Sequence, residues 1–190
     1  MGLPLPESCC RGTQLLAFRA AAIEKWGDLG WKETCALLGD EARDALLRPV
    51  RPVEWVPERH MVSLADAVFT GPAAKSEQTY REFVRHQIDY GFGRVRRMLL
   101  HLMPPEIVLS RAPDLWRHDH THGELVVDVA SDKKRAHVRL VDHVHATYEV
   151  GWITSAEMFR YVLALTRAKH VTSAHRSGGD RILEIDLEWQ

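Results

Sequence analysis

Apolar positions recur at helical spacing through roughly the first hundred residues and at every second position further on, so the chain reads as helices followed by strands. From Gln14 to Trp26, Leu15, Phe18, Ala22 and Ile23 form one apolar stripe, and Gly27 stands where a helix usually stops. A second short helix is expected to carry Trp31, Cys35 and Leu38 up to Gly39, after which Asp40 is placed to cap Glu41 to Leu47. Prolines 49, 52 and 57 keep the next stretch extended, before a helix around Met61 to Phe69 that Gly71-Pro72 ends. The segment from Ser76 to Met103 is the longest helical one. Its stripe is Tyr80, Phe83, Val84, Ile88, Phe92, Val95, Met98, Leu99 and Leu102; Gly91 and Gly93 predict a bend, and Pro104-Pro105 a stop.

Beyond Trp116 the period falls to two. Leu125, Val127 and Val129 alternate with polar neighbours, as do Ala136, Val138 and Leu140, and Ser131 to Lys134 joins the two runs as a hairpin loop. Thr154 and Glu157 are spaced as a capping box opening a helix through Met158, Tyr161, Val162 and Leu165. Then comes a turn at Arg176 to Asp180 and a strand with Leu183, Ile185, Leu187 and Trp189 on one face. Helices, hairpin, helix and hairpin together predict an α+β fold: a helical part, about 12–103, packed on a C-terminal antiparallel sheet, about 116–190, in a single domain spanning 1–190.

Composition narrows the partners. A formal net charge of −1 gives no global field for nucleic acid or anionic membrane. Arg81, Arg85, Arg94, Arg96 and Arg97, with His86, form a basic stripe, but no aromatic residues interleave it for base stacking; nucleic acid is not expected. No apolar run reaches the roughly 18 to 20 residues of a membrane span, and the opening residues have no secretion pattern, so a cytoplasmic location is expected. Cys9, Cys10 and Cys35 read as reduced thiols. No Gly-x-Ser-x-Gly elbow or phosphate-cradling loop occurs, and the carboxylates Glu184, Asp186 and Glu188 share the outer face of one strand; no enzymatic activity is expected.

Histidine is the unusual residue. Of eleven, five crowd the first hairpin: His118, His120 and His122 before the loop, His143 and His145 after it. Pairing Ala130 with Arg135 and extending the ladder sets Leu125 opposite Leu140, His122 opposite His143 and His120 opposite His145. Opposed Cβ atoms lie about 4.5 to 5.5 Å apart, a separation from which imidazoles can converge on zinc. The same face carries Arg139, Asp128 and His137, which marks it as the solvated side, where histidines need no ligand. A pH-responsive interface is a third reading of that face.

Arg11-Gly12-Thr13, then Ile23-Glu24-Lys25-Trp26-Gly27 and Trp31, resemble the opening of haem-nitric-oxide-binding (H-NOX) domains. Trp55-Val56-Pro57, Leu115-Trp116, Gly123-Glu124-Leu125 and the strand ending in Trp189 resemble a paralogous family of myxobacteria, and the C-terminal half is distantly similar to vinyl-reductase-type ligand-sensing domains. The H-NOX resemblance implies a bacterial sensory domain. It also implies a haem-ligating histidine about three helical turns before the Pro-Pro pair, where this chain has Phe92; His86 and His101 are out of register with that position. The Tyr-x-Ser-x-Arg pattern that grips haem propionates in the family is absent between Arg111 and Glu124.

The leading expectation is therefore a non-enzymatic sensory or regulatory domain, H-NOX-like but without haem. A small apolar ligand is expected in a cavity between the long helix and the sheet, lined by Tyr90, Phe92, Met98 and Trp116. The first competing reading is a protein-interaction module without a ligand, forming a homodimer through its sheet edge or histidine face. The second is a zinc-binding protein using His120, His122, His143 and His145.

Overall fold

A computed structural model describes residues 7–190, apart from the side chains of 94–96. The chain runs β1 (Cys9–Arg11), α1 (Gly12–Ala36), α2 (Asp40–Leu47), β2 (Trp55–Pro57), α3 (Glu58–Thr70), α4 (Glu77–His101), α5 (Pro105–Asp119), β3 (Glu124–Val129), β4 (Arg135–Val141), a 3-10 turn (Val144–Thr147), α6 (Glu149–Ala164), β5 (Thr172–Gly179) and β6 (Ile182–Glu188). The α+β class and the antiparallel C-terminal sheet follow the expectation. Among the described residues, no helix is long and apolar enough to cross a membrane.

The glycines act as the pattern requires. Gly27 (φ 69°, ψ −175°) and Gly93 (φ 62°, ψ 173°) each kink a long helix in a conformation open essentially to glycine alone. The expected stop at Gly27 is thus a kink, and the chain beyond it returns to helix through Trp31. Leu15, Phe18 and Ala22 are buried from α1, and Tyr80, Phe83 and Val84 from α4, so the two stripes meet in a helical core with Leu64 and Val68 of α3. Ser76 caps α4 by accepting from the Thr79 amide at 3.2 Å.

Three local expectations are corrected. Gly39, not Asp40, is the N-cap of α2, and Asp40 is the first helical residue, paired with Arg43. The helical part does not end near residue 103: α4 stops at His101, ahead of Pro104-Pro105 as expected, but a further helix, α5, opens at Pro105, at the position where a missing N–H costs nothing. Thr154 and Glu157 lie inside α6, which begins at Glu149. The Thr154 hydroxyl bonds the Val150 carbonyl and Tyr80, while Glu157 turns to arginines, so tertiary partners take both groups of the expected capping box.

The main sheet has the order β3-β4-β6-β5, all neighbours antiparallel. Leu125 faces Leu140 and the Ala130 amide bonds the Arg135 carbonyl, the register read from the alternation. The last hairpin turns later than expected: β5 runs to Gly179, with an irregularity at Ser177/Gly179. Val138, Leu140, Leu183, Ile185 and Leu187 build a second core under the sheet, with Phe159 and Leu163 of α6 and Leu109 of α5. A small sheet missed in the sequence pairs Cys10 with Val56 across β1 and β2, and Cys10 also bridges to His120. It draws three distant stretches of chain to one place.

Candidate functional site

That place is a buried Glu58–His120–His143 cluster. Pro57 fixes the backbone at the entry to α3, so Glu58 is its first residue, where the helix dipole favours a carboxylate. The Glu58 amide donates to the Ser8 carbonyl at 2.9 Å, which anchors the helix start on the N-terminal strand. His120 ends α5 in an extended conformation (φ −130°), turning the chain toward β1. His143 stands before the 3-10 turn, and its Nδ1 accepts from the His145 amide at 3.2 Å.

The side chains converge. His120 Nδ1 lies 2.5 Å from Glu58 Oε1, Ser8 Oγ donates to Oε2, and His143 Nε2 lies 2.8 Å from Oε2. The last contact is short but misaligned, so His143 Nε2 has no hydrogen-bond partner although fully buried. Gln14 Nε2 meets His120 Nε2 at 3.0 Å, and the Trp116 ring stacks on His120 at 3.9 Å. Glu58 and His143 side chains are 2% and 0% exposed. Burial alone would raise the Glu58 pKa, but the hydrogen bond with His120 and the close approach of the His143 ring outweigh it and hold the carboxylate far below its usual range. Desolvation lowers His143, with Glu58 opposing, and pushes His145 down to about 3.

Two of the four histidines expected at a metal thus come together; the sheet face with Asp128 and Arg139 is solvated as expected, but His120 and His143 do not lie on it and are buried. The ladder stops at Glu124–Val141, so His122 and His143, and His120 and His145, are not cross-strand pairs. The chain leaves the sheet there, because a helix supplies His120 and a 3-10 turn supplies His145. His122 is half-buried and bonded to Thr121, His145 packs edge-on to His143, and His118 is exposed on α5. Glu58 was missed. Its signal is the acidic residue after Pro57 at a helix start, but nothing in the sequence ties it to histidines more than sixty positions away.

The four residues expected around an apolar ligand are spread apart in environment. Tyr90 and Met98 are 57% and 62% exposed, Phe92 is half-buried before the Gly93 kink, and Trp116 is buried against His120. Two depressions of about 280 and 320 Å³ are open to the surface, one lined by Gly39, Arg59 and His60, the other by Glu77, Arg81 and Arg85. Of the basic stripe, Arg81 and Arg85 pair with Glu157 and Arg97 with Asp89; the side chains of Arg94 and Arg96 lie outside the described ones.

No family model and no curated protein matches the chain. Solved structures do. An H-NOX protein from S. oneidensis in the Fe(II)NO ligation state superposes with a TM-score of 0.69 at 9% identity, over 95% of this chain and 99% of that one. The Fe(II) unliganded H-NOX protein from K. algicida gives 0.67 at 8%, over 95% and 96%. An oxygen-binding H-NOX domain related to soluble guanylate cyclases gives 0.66 at 10%, over 95% of each. The fold is that of H-NOX domains. At this identity the likeness carries architecture and no site residue, so within the H-NOX frame the Glu58 cluster stands on this chain's own geometry.

One prediction concerns that geometry. Gly123 holds φ at 82°, and a Cβ there would come within 2.7 Å of His143 Cβ. Gly123→Ala is expected to destabilise the protein by about 1–3 kcal/mol, combining positive-φ strain with overpacking. Urea denaturation measures it, and an unchanged midpoint would contradict the packing of His143 onto this glycine.

Proposed function

We propose that this chain is a non-enzymatic sensory or regulatory domain that works on the H-NOX framework without haem. What supports the reading is an H-NOX architecture covering nearly the whole chain, together with the count back from Pro104-Pro105 that puts Phe92 where the family resemblance implies an iron-ligating histidine. His86 is half-buried and His101 exposed on the same helix, out of register with Phe92. The residues present do not fit a haem held as the family holds it, and no step here runs through one. Half-buried Phe92 and buried Trp116 remain the side chains eligible to contact a small apolar ligand, since solvent-facing Tyr90 and Met98 offer it no enclosure.

The reading treats 1–190 as one unit. In support, α6 contributes Val150 and Ile153 to the helical core and Ala156, Phe159 and Leu163 to the sheet core, so one helix is shared by both. The test is haem reconstitution of the purified chain. Mixing with ferric and ferrous haem is expected to give no stoichiometric complex with a histidine-ligated Soret spectrum; a 1:1 complex with such a spectrum would sink the haem-independent reading.

A further inference from the structure

We propose that Glu58, His120 and His143 form a binding site for one divalent transition-metal cation of the zinc class, which ties the helical half of the protein to its sheet. The inference does not depend on whether the domain senses anything or lacks haem. Its first support is the donor set: two imidazoles and a carboxylate suit zinc and its neighbours, and their donor atoms all lie within 4.8 Å of one another.

The second support is what the cluster lacks. Nε2 of His143 is wholly buried and, among the described residues, has only its misaligned 2.8 Å contact with Glu58 and no hydrogen-bond partner, a rare state for a buried polar atom. Glu58 has no lysine or arginine among the ion pairs of the described residues: its partners are Ser8, His120 and His143. Neighbouring Arg59 is engaged with Glu7 and Glu41 instead. A carboxylate removed from water without a cation beside it is costly, and a bound divalent ion relieves that cost.

The surroundings are arranged as an outer shell. Trp116 stacks on the His120 ring, Gln14 reaches its far nitrogen, and the Ser8 hydroxyl bonds the carboxylate, so the orientations of His120 and Glu58 are set by neighbours. Tetrahedral ligation with bonds near 2.0 to 2.2 Å places donor atoms roughly 3.3 Å apart. The present separations of 2.5 and 2.8 Å would open by less than about 1 Å, within reach of side-chain rotation.

Binding requires a tautomer exchange in each ring. His120 gives up its proton at Nδ1 and takes one at Nε2, toward Gln14, whose amide turns to offer oxygen. His143 frees Nε2 and carries its proton at Nδ1, releasing the 3.2 Å bond from the His145 amide. Three protein donors leave the fourth tetrahedral position to water or another ligand.

The test uses the full chain, stripped with a chelator and titrated with zinc alone. One zinc per chain is expected, with a rise in melting temperature, and Glu58→Gln or His143→Asn is expected to weaken binding at least 100-fold. His122→Ala is expected to bind as the unaltered chain does. Should the ligand variants fail to fold, X-ray absorption of the zinc-loaded unaltered chain reads the same point: two imidazoles in an all nitrogen and oxygen shell are expected. Absence of stoichiometric zinc, unchanged affinity in Glu58→Gln, binding that depends on His122, or sulfur in the shell each overturns the proposal.

Discussion

Replacing Glu157 with glutamine is expected to destabilise the protein by about 1–3 kcal/mol at neutral pH, the cost of removing the buried acceptor from a partly exposed ion network. The Glu157 side chain is 1% exposed, sealed by three guanidinium groups. Arg85 Nε donates to Oε1 at 2.5 Å, Arg81 Nη1 to Oε2 at 3.1 Å, and Arg160 grips both oxygens at 2.6 and 2.9 Å. Two of these arginines come from α4 and one from α6, so the carboxylate joins the helix that carries Phe92 to the helix shared by both cores. Glutamine keeps the shape but leaves three cations facing a neutral amide.

The same residue sets a pH dependence. Desolvation pushes Glu157 upward, but the arginines prevail and its pKa falls below the ordinary 4.5. Because the folded value is the lower one, the stabilisation is present above about pH 4.5 and is lost as pH falls through the folded pKa. The gap between the unaltered protein and Glu157→Gln, measured by urea denaturation at a series of pH values, is therefore expected to be widest near neutrality and to close in acid. A gap that stays constant down to pH 3 would show that the carboxylate's charge is not what the arginines hold.

Legibility in the sequence followed the range of the forces involved. The β3–β4 register could be read, because period-two burial admits one alignment of Leu125 with Leu140. The kink at Gly93 could be read from glycine chemistry alone. The histidine site was half legible: His120 and His143 were singled out, yet by extending a ladder that in fact ends two residues short of His143. Local alternation carries no information on where a strand stops being a strand, and the helical turn after Pro105 was masked by treating proline only as a terminator. Glu58 was out of reach for a different reason. It meets the histidines through β1 and β2, two three-residue strands whose pairing is a tertiary event with no periodic signature.

Truncating Phe83 to alanine is expected to cost about 3–5 kcal/mol, as for a large aromatic side chain whose cavity cannot fully collapse. Phe83 is fully buried on α4, meets Phe18 edge-on at 4.7 Å and lies 5.2 Å from Trp26, both on α1, with Tyr80 at 5.8 Å on its own helix. These rings hold α1 against α4 before each helix kinks, so the void would open between the two longest helices. Phe83→Leu retains most of the volume and is expected to cost under about 2 kcal/mol. The variant also probes unity of the fold. If α6 couples the two cores as its shared burial suggests, loss of Phe83 lowers the denaturation midpoint equally for helical circular dichroism and for amide exchange at Val138, Leu140 and Ile185 in the sheet. A sheet that keeps its original midpoint while the helices melt early would separate the chain into two folding units.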